Sequence, residues 1–208
     1  MKSTLHLVSA WLLAGLCFAS AASAALISRP GGMVYDSDLD ITWLQDANYA
    51  KTSGYSANGL MNWATATAWS DNLVYGGYSD WRMPTTGQPD ASCDGSGYHC
   101  VGSELGHLFY QELGVAAGSD VTTGVASELA KFVNIQSYVY WSATEYVPSS
   151  TAWAFVFGDG YEGLGGEGVP FFAWAVRSGD VAAAPEPASL SLLVAGLAAW
   201  MGGRRRTR

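Results

Sequence analysis

Tyr138-Val139-Tyr140-Trp141-Ser142, Ala152-Trp153-Ala154-Phe155-Val156-Phe157 and Phe171-Phe172-Ala173-Trp174-Ala175-Val176-Arg177 decide the class of this fold. The three runs are dense in aromatic and β-branched residues, follow a period of two and are broken by Gly-rich turns, so each reads as a strand. Upstream the period changes. Leu60, Trp63, Ala64, Thr67 and Ala68 recur at helical spacing and predict an amphipathic helix over residues 60–73, ended by Gly76-Gly77. Ser103 is a cap for a second helix with Glu104 in its first turn, an apolar face of Leu105, Leu108, Phe109 and Leu113, and Gly114 as its stop. Residues 127–132 read as a third, shorter helix, and Met33-Val34-Tyr35 and Ile41-Thr42-Trp43-Leu44 as short strands around an Asp-rich turn. Helices first and strands last imply α+β: two main helices with a small antiparallel sheet.

The two ends of the chain carry a different message. Lys2, the apolar stretch 5–19 and Ala22-Ser23-Ala24 have the order of a secretory signal peptide over residues 1–24. At the other end Pro185-Glu186-Pro187 precedes an apolar run, residues 188–203, and then Arg204, Arg205, Arg206 and Arg208. As a helix that run spans roughly 24 Å, short of the ~30 Å hydrocarbon core, and its basic stop orients the tail to the cytoplasm. An ordinary C-terminal anchor is one reading. The tripartite order also resembles the PEP-CTERM sorting signal, which implies transient membrane anchoring, processing by an exosortase, and a final place in the cell envelope or outside the cell. Residues 25–182 are then one domain and 183–208 the sorting signal.

Between those ends five basic side chains face all 18 carboxylates of the chain, a net charge near −13. Such a surface excludes nucleic acid, whose phosphates need a basic one, and leaves neutral glycans or divalent cations. A solvated acidic surface that serves solubility is the alternative. Cys93 and Cys100 flank a six-residue Gly-containing loop and, outside the cytosol, most simply form a local disulfide; a metal site would need more than the adjacent His99.

Several residue types invite a chemical reading. Asp36, Asp38 and Asp40 have the spacing that opens a calcium loop, but Ile41 and Ala47 stand where an EF-hand needs Gly and Glu, so calcium competes with a plain Asp turn. Arg82, with Asp80 and Glu145 as expected partners, reads either as a structural ion pair or as a carboxylate grip. Ser142 lacks the base and orienting group a nucleophile requires, and His107 reads as a helix-surface residue. The chain has neither a Gly-x-Ser-x-Gly elbow nor a His-Glu-x-x-His motif, so no catalytic residue is assigned. Trp153 and Tyr161, near Gly-rich turns, are candidate glycan contacts because sugar rings stack on such faces. Most of the seven interior tryptophans are expected in the core.

Five blocks together carry a family resemblance: Ile41-Thr42-Trp43-Leu44-Gln45-Asp46-Ala47, Tyr78-Ser79-Asp80-Trp81-Arg82-Met83-Pro84-Thr85, Glu104-Leu105 with Leu108, Tyr140-Trp141-Ser142-Ala143-Thr144-Glu145, and Ala175-Val176-Arg177. They resemble the Lcl C-terminal domain family over residues 33–180. The resemblance implies a fold related to C-type lectins and formylglycine-generating enzymes and, for the member that names the family, binding of sulfated polysaccharide. Two departures stand out. Residues 86–103 are inserted where family members run from Pro-Thr nearly straight into Glu-Leu, and both cysteines lie in that insertion; the acidity also argues against sulfated glycans. The function expected is an exported, non-enzymatic surface or matrix protein that binds extracellular polysaccharide or is a structural component of it, with no cofactor except a candidate calcium. The alternatives are a secreted polysaccharide hydrolase, using carboxylates among Asp80, Glu104, Glu145 and Asp159, and a protein-interaction module.

Overall fold

Two antiparallel sheets, rather than the single small sheet expected, carry the fold. The computed structural model describes residues 25–181. The signal peptide expected over 1–24 and the sorting signal with Pro185, Glu186, Pro187, Arg204, Arg205 and Arg206 lie outside the described residues. The first sheet has the order β1-β2-β3-β7, formed by β1 (Leu26–Arg29), β2 (Met33–Asp36), β3 (Ile41–Leu44) and β7 (Val176–Ser178). The second is β4 (Val139–Tyr146), β5 (Thr151–Val156) and β6 (Glu162–Gly166) in sequence order.

The run from Phe171 to Arg177 is not one continuous strand, because it passes from one sheet to the other. Phe171 bridges Met61, Phe172 bridges Tyr140 of β4, and Val176 lies between Trp43 of β3 and Arg82. This crossing line buries the aromatic side chains of both sheets in one core. Trp174 lies 5.2 Å from Trp43, 5.1 Å from Phe132 and 5.8 Å from Tyr140 between ring centroids, and its indole N–H donates to the Leu44 carbonyl at 2.7 Å. Trp43, Trp69, Trp81, Trp141 and Trp174 are buried, as a domain filled by large side chains requires.

The helices are short. Residues 60–73 yield only α2 (Trp63–Asp71), following α1 (Tyr49–Thr52). Met61 is drawn into its bridge with Phe171, and Asn62 caps α2 by accepting the Thr65 amide at 2.9 Å. Gly76-Gly77 does not end that helix but makes the turn between Tyr75 and Tyr78, where both glycines have positive φ. Ser103 caps α3 (Glu104–His107) as expected, accepting the Gly106 amide at 3.0 Å, but the helix then opens into a π turn, Leu108–Glu112. A 3₁₀ turn, Val121–Thr123, leads to α4 (Ala126–Leu129). No helix among the described residues is long and apolar enough to cross a membrane.

Candidate functional site

The residues of the sequence motifs are scaffold. Arg82 pairs with Glu104, not with Asp80 or Glu145. Its two terminal nitrogens each donate to one Glu104 oxygen at 2.7 Å, and the Glu104 carboxylate also accepts the Thr85 amide. A bidentate pair of this kind ties the turn at Pro84 to the first turn of α3, across the whole insertion. Asp80 instead holds Arg177 of β7 with two hydrogen bonds of 2.9 and 2.8 Å, and that guanidinium lies 4.0 Å over the Tyr78 ring. Ser142 is buried and its hydroxyl accepts the Thr144 amide. Thr144 Oγ1 in turn bonds both the amide and the carbonyl of Thr86. Trp141 donates to the Met61 carbonyl. Trp43 and Leu105 are core residues. Two of the four carboxylates considered for hydrolysis, Asp80 and Glu104, are thus committed to arginines, and Glu145 stands exposed in β4.

The insertion builds something different. Cys93 and Cys100 are joined as a disulfide. Asp94 organises the loop inside it: its Oδ1 accepts the Ser96 amide, the Ser96 hydroxyl and the Tyr98 amide, and its Oδ2 faces His99 Nδ1. The Ser96 donors, with His99 beside them, hold the Asp94 carboxyl well below the usual carboxylate range. The loop docks on the start of β6. The Gly97 carbonyl accepts the Glu162 amide at 2.8 Å, and the Tyr98 and Tyr161 rings meet edge to face at 5.6 Å.

Between this loop and the β5–β6 hairpin lies a cleft of about 550 Å³, whose walls include Pro89, Asp90, the disulfide, Trp153, Tyr161 and Glu162. Trp153 and Tyr161, the two expected glycan contacts, come together here. Glu162 and Asp90 carried no such expectation. Glu162 is buried, and neither of its oxygens has a hydrogen-bond partner; nor do Asp90 Oδ2 or the Trp153 indole N–H, all withdrawn from solvent. A carboxylate oxygen of Asp90 lies within 4.8 Å of one from Glu162. Burial, more than the neighbouring Asp90 charge, pushes the Glu162 carboxyl up to about 7. The cleft thus presents aromatic side chains, with several unsatisfied polar atoms buried in the residues of its wall.

The Asp turn is held by its own side chains. Asp36 Oδ1 accepts the Asp38 and Leu39 amides, the bonds of a plain Asx turn, and Asp40 accepts the Tyr35 hydroxyl. Among the described residues Asp36, Asp38 and Asp40 are not gathered into one ligand cluster; Asp36 is grouped instead with His107 and Glu112. His107 is consequently not a helix-surface residue, since its side chain is only 13% exposed.

An α+β domain of two antiparallel sheets, held by Arg–carboxylate clamps and carrying an aromatic cleft beside a disulfide loop, is the class defined by this fold and site. The chain belongs to the Lcl C-terminal domain family, whose model matches residues 32–177. No curated protein matches the chain. Membership suggests a surface or extracellular protein, and the motif blocks through which it is recognised are those that hold the two sheets and α3 together.

Proposed function

We propose that this protein is an exported, non-enzymatic domain of the cell surface or extracellular matrix that binds polysaccharide through the cleft between the disulfide loop and the β5–β6 hairpin. The observation that carries this reading is the Trp153–Tyr161–Glu162 wall. Sugars are bound by stacking on aromatic faces while carboxylates and N–H groups take the hydroxyls. Glu162, Asp90 and the Trp153 indole are such groups, and both Glu162 oxygens, Asp90 Oδ2 and the indole N–H lack partners within the protein. A polyhydroxylated ligand would satisfy them. The acidity near the cleft favours neutral or cationic glycans over sulfated ones. The C-type-lectin relationship of the fold belongs to this proposal, as do secretion through residues 1–24, exosortase processing at Pro185-Glu186-Pro187 and release from the anchor at 188–203; the order of those segments in the chain supports them.

The test is binding to exopolysaccharide from the protein's own host, followed together with polymer length. Saturable binding is expected, weakened about tenfold by Trp153→Ala, on the scale of one aromatic contact. Polymer length should not change. Equal binding by the variant would defeat the cleft assignment.

One observation favours a second reading, a hydrolase. The Asp90–Glu162 pair places a carboxyl with a pKa near neutrality next to another carboxylate on the wall of a cleft, the arrangement retaining glycosidases use. New reducing ends produced by the wild type but not by Glu162→Gln would establish it.

A further inference from the structure

Asp36, His107 and Glu112 converge from distant places in the chain, and the glycan reading uses none of them. Asp36 ends β2, His107 ends α3 and Glu112 ends the π turn. In a continuous α-helix of 3.6 residues per turn, residues five apart point about 140° away from each other. Here the Leu113 amide donates to the Leu108 carbonyl at 2.8 Å, a five-residue step that widens the turn. His107 Nε2 therefore faces Glu112 Oε1 at 3.5 Å. Such turns are rare and concentrate at functional sites.

Each of the three side chains keeps one polar atom withdrawn from water without a hydrogen bond. Asp36 is fully buried and Glu112 is 8% exposed. Asp36 Oδ2, His107 Nε2 and Glu112 Oε1 have no hydrogen-bond partner, and one ligand atom from each of the three residues lies within 4.8 Å of the others. Asp38 Oδ2 stands 3.8 Å from the same His107 nitrogen. The two measured separations exceed hydrogen-bond lengths. They approach the edges of a coordination tetrahedron, because ligand atoms about 2.0–2.2 Å from an ion are about 3.3–3.6 Å apart. The amides of Asp38 and Leu39 bond the other Asp36 oxygen, which fixes the carboxylate plane and aims Oδ2 at the cluster, as outer-shell donors do for metal ligands.

We propose that Asp36, His107 and Glu112, with Asp38 as fourth donor, bind a divalent transition-metal ion, for which zinc is the best match. One imidazole among carboxylates suits zinc, whereas calcium and magnesium take oxygen ligands alone. The ion pins the turn after β2 to the helical segment that sends Leu105, Leu108 and Phe109 into the core. Its role is structural, and it shares no residue with the glycan cleft.

The untagged full-length chain, stripped with chelator and dialysed against zinc chloride, tests this by metal analysis and thermal unfolding. One zinc per chain and a raised melting temperature are expected. His107→Gln and Glu112→Gln should each weaken binding by more than about 100-fold, beyond the roughly 10–100-fold cost of losing an outer-shell partner. Asp40→Asn should leave it unchanged. Zinc-edge X-ray absorption of the wild type, which does not depend on any variant folding, should show one imidazole, oxygen ligands and no sulphur. Failure to bind zinc, binding that survives both substitutions, or a shell containing sulphur overturns the proposal.

Discussion

Glu162→Gln should make the protein more stable in alkaline than in acidic solution relative to wild type, and the size of the effect follows from burial. Glu162 lies on the cleft wall with both oxygens unpartnered, and its carboxyl titrates at about 7 in the folded protein against the ordinary 4.5. The folded state therefore holds a proton that the unfolded chain has already lost between those two values. Stability must fall as pH rises through that window, because the native state binds more protons there. The difference in pKa corresponds to about 3 kcal/mol in full, most of which develops between pH 5 and pH 8. A glutamine of the same shape cannot ionise, so the variant escapes that loss. Urea unfolding of both proteins at pH 5 and pH 8 isolates the effect, since every other titrating group cancels in the comparison. The expected result is a variant that gains about 2–3 kcal/mol on the wild type over this interval, or on the order of 5–10 °C in melting temperature for a domain of this size. A constant difference across pH would show that the Glu162 carboxylate is solvated or paired, and the description of the cleft wall would fail.

Three further outcomes follow from the same geometry. Gly97→Ala places a Cβ 2.5 Å from the Tyr161 ring at a φ of +90°, so the disulfide loop should lift from β6. Hydrogen exchange at the Glu162 amide, which donates to Gly97, should then speed up at least tenfold, and unchanged protection would refute the docking. Glu104→Gln should cost about 1.5–3 kcal/mol through loss of the charged clamp on Arg82, whereas Asp80→Asn, at the more exposed clamp on Arg177, should cost less than about 1 kcal/mol. Equal costs in thermal unfolding would contradict the assigned burial. Trp174→Ala should cost about 3–5 kcal/mol in urea unfolding, since it empties the junction of the two sheets and strands the Leu44 carbonyl; a loss under about 2 kcal/mol would place the core elsewhere.

Alternation and aromatic density made β2, β3, β4 and β5 legible, because a half-buried strand imposes that pattern on its side chains. β6 was hidden: Glu162-Gly163-Leu164-Gly165-Gly166 reads as a turn. Gly165 leaves room for Trp141 and Phe171 against the strand, where a Cβ would stand 2.5 Å from the Phe171 ring, and Gly163 leaves room for the Tyr161 ring. That the strands form two sheets rests on long-range register, which composition does not encode. The Arg82 partner was misjudged for a related reason. Asp80 is near in sequence, but Glu104 reaches the arginine only because the inserted loop closes back on Thr85. His107 looked exposed on an α-helical wheel, and the π turn after it invalidates the wheel. Of the cleft, only the aromatic half was readable in Trp153 and Tyr161; Asp90 and Glu162 give no signal until the loop and the hairpin are brought together.

The central claim, that the cleft takes polysaccharide, is tested most directly by the Trp153 indole resonance in a ¹⁵N spectrum during titration with oligosaccharides released from host exopolysaccharide. The account predicts a saturable shift of that N–H, with the Gly97 and Gly163 amides moving alongside it and the indoles of Trp43 and Trp174 at rest. Saturable binding that leaves Trp153 unmoved while other surfaces shift would contradict it.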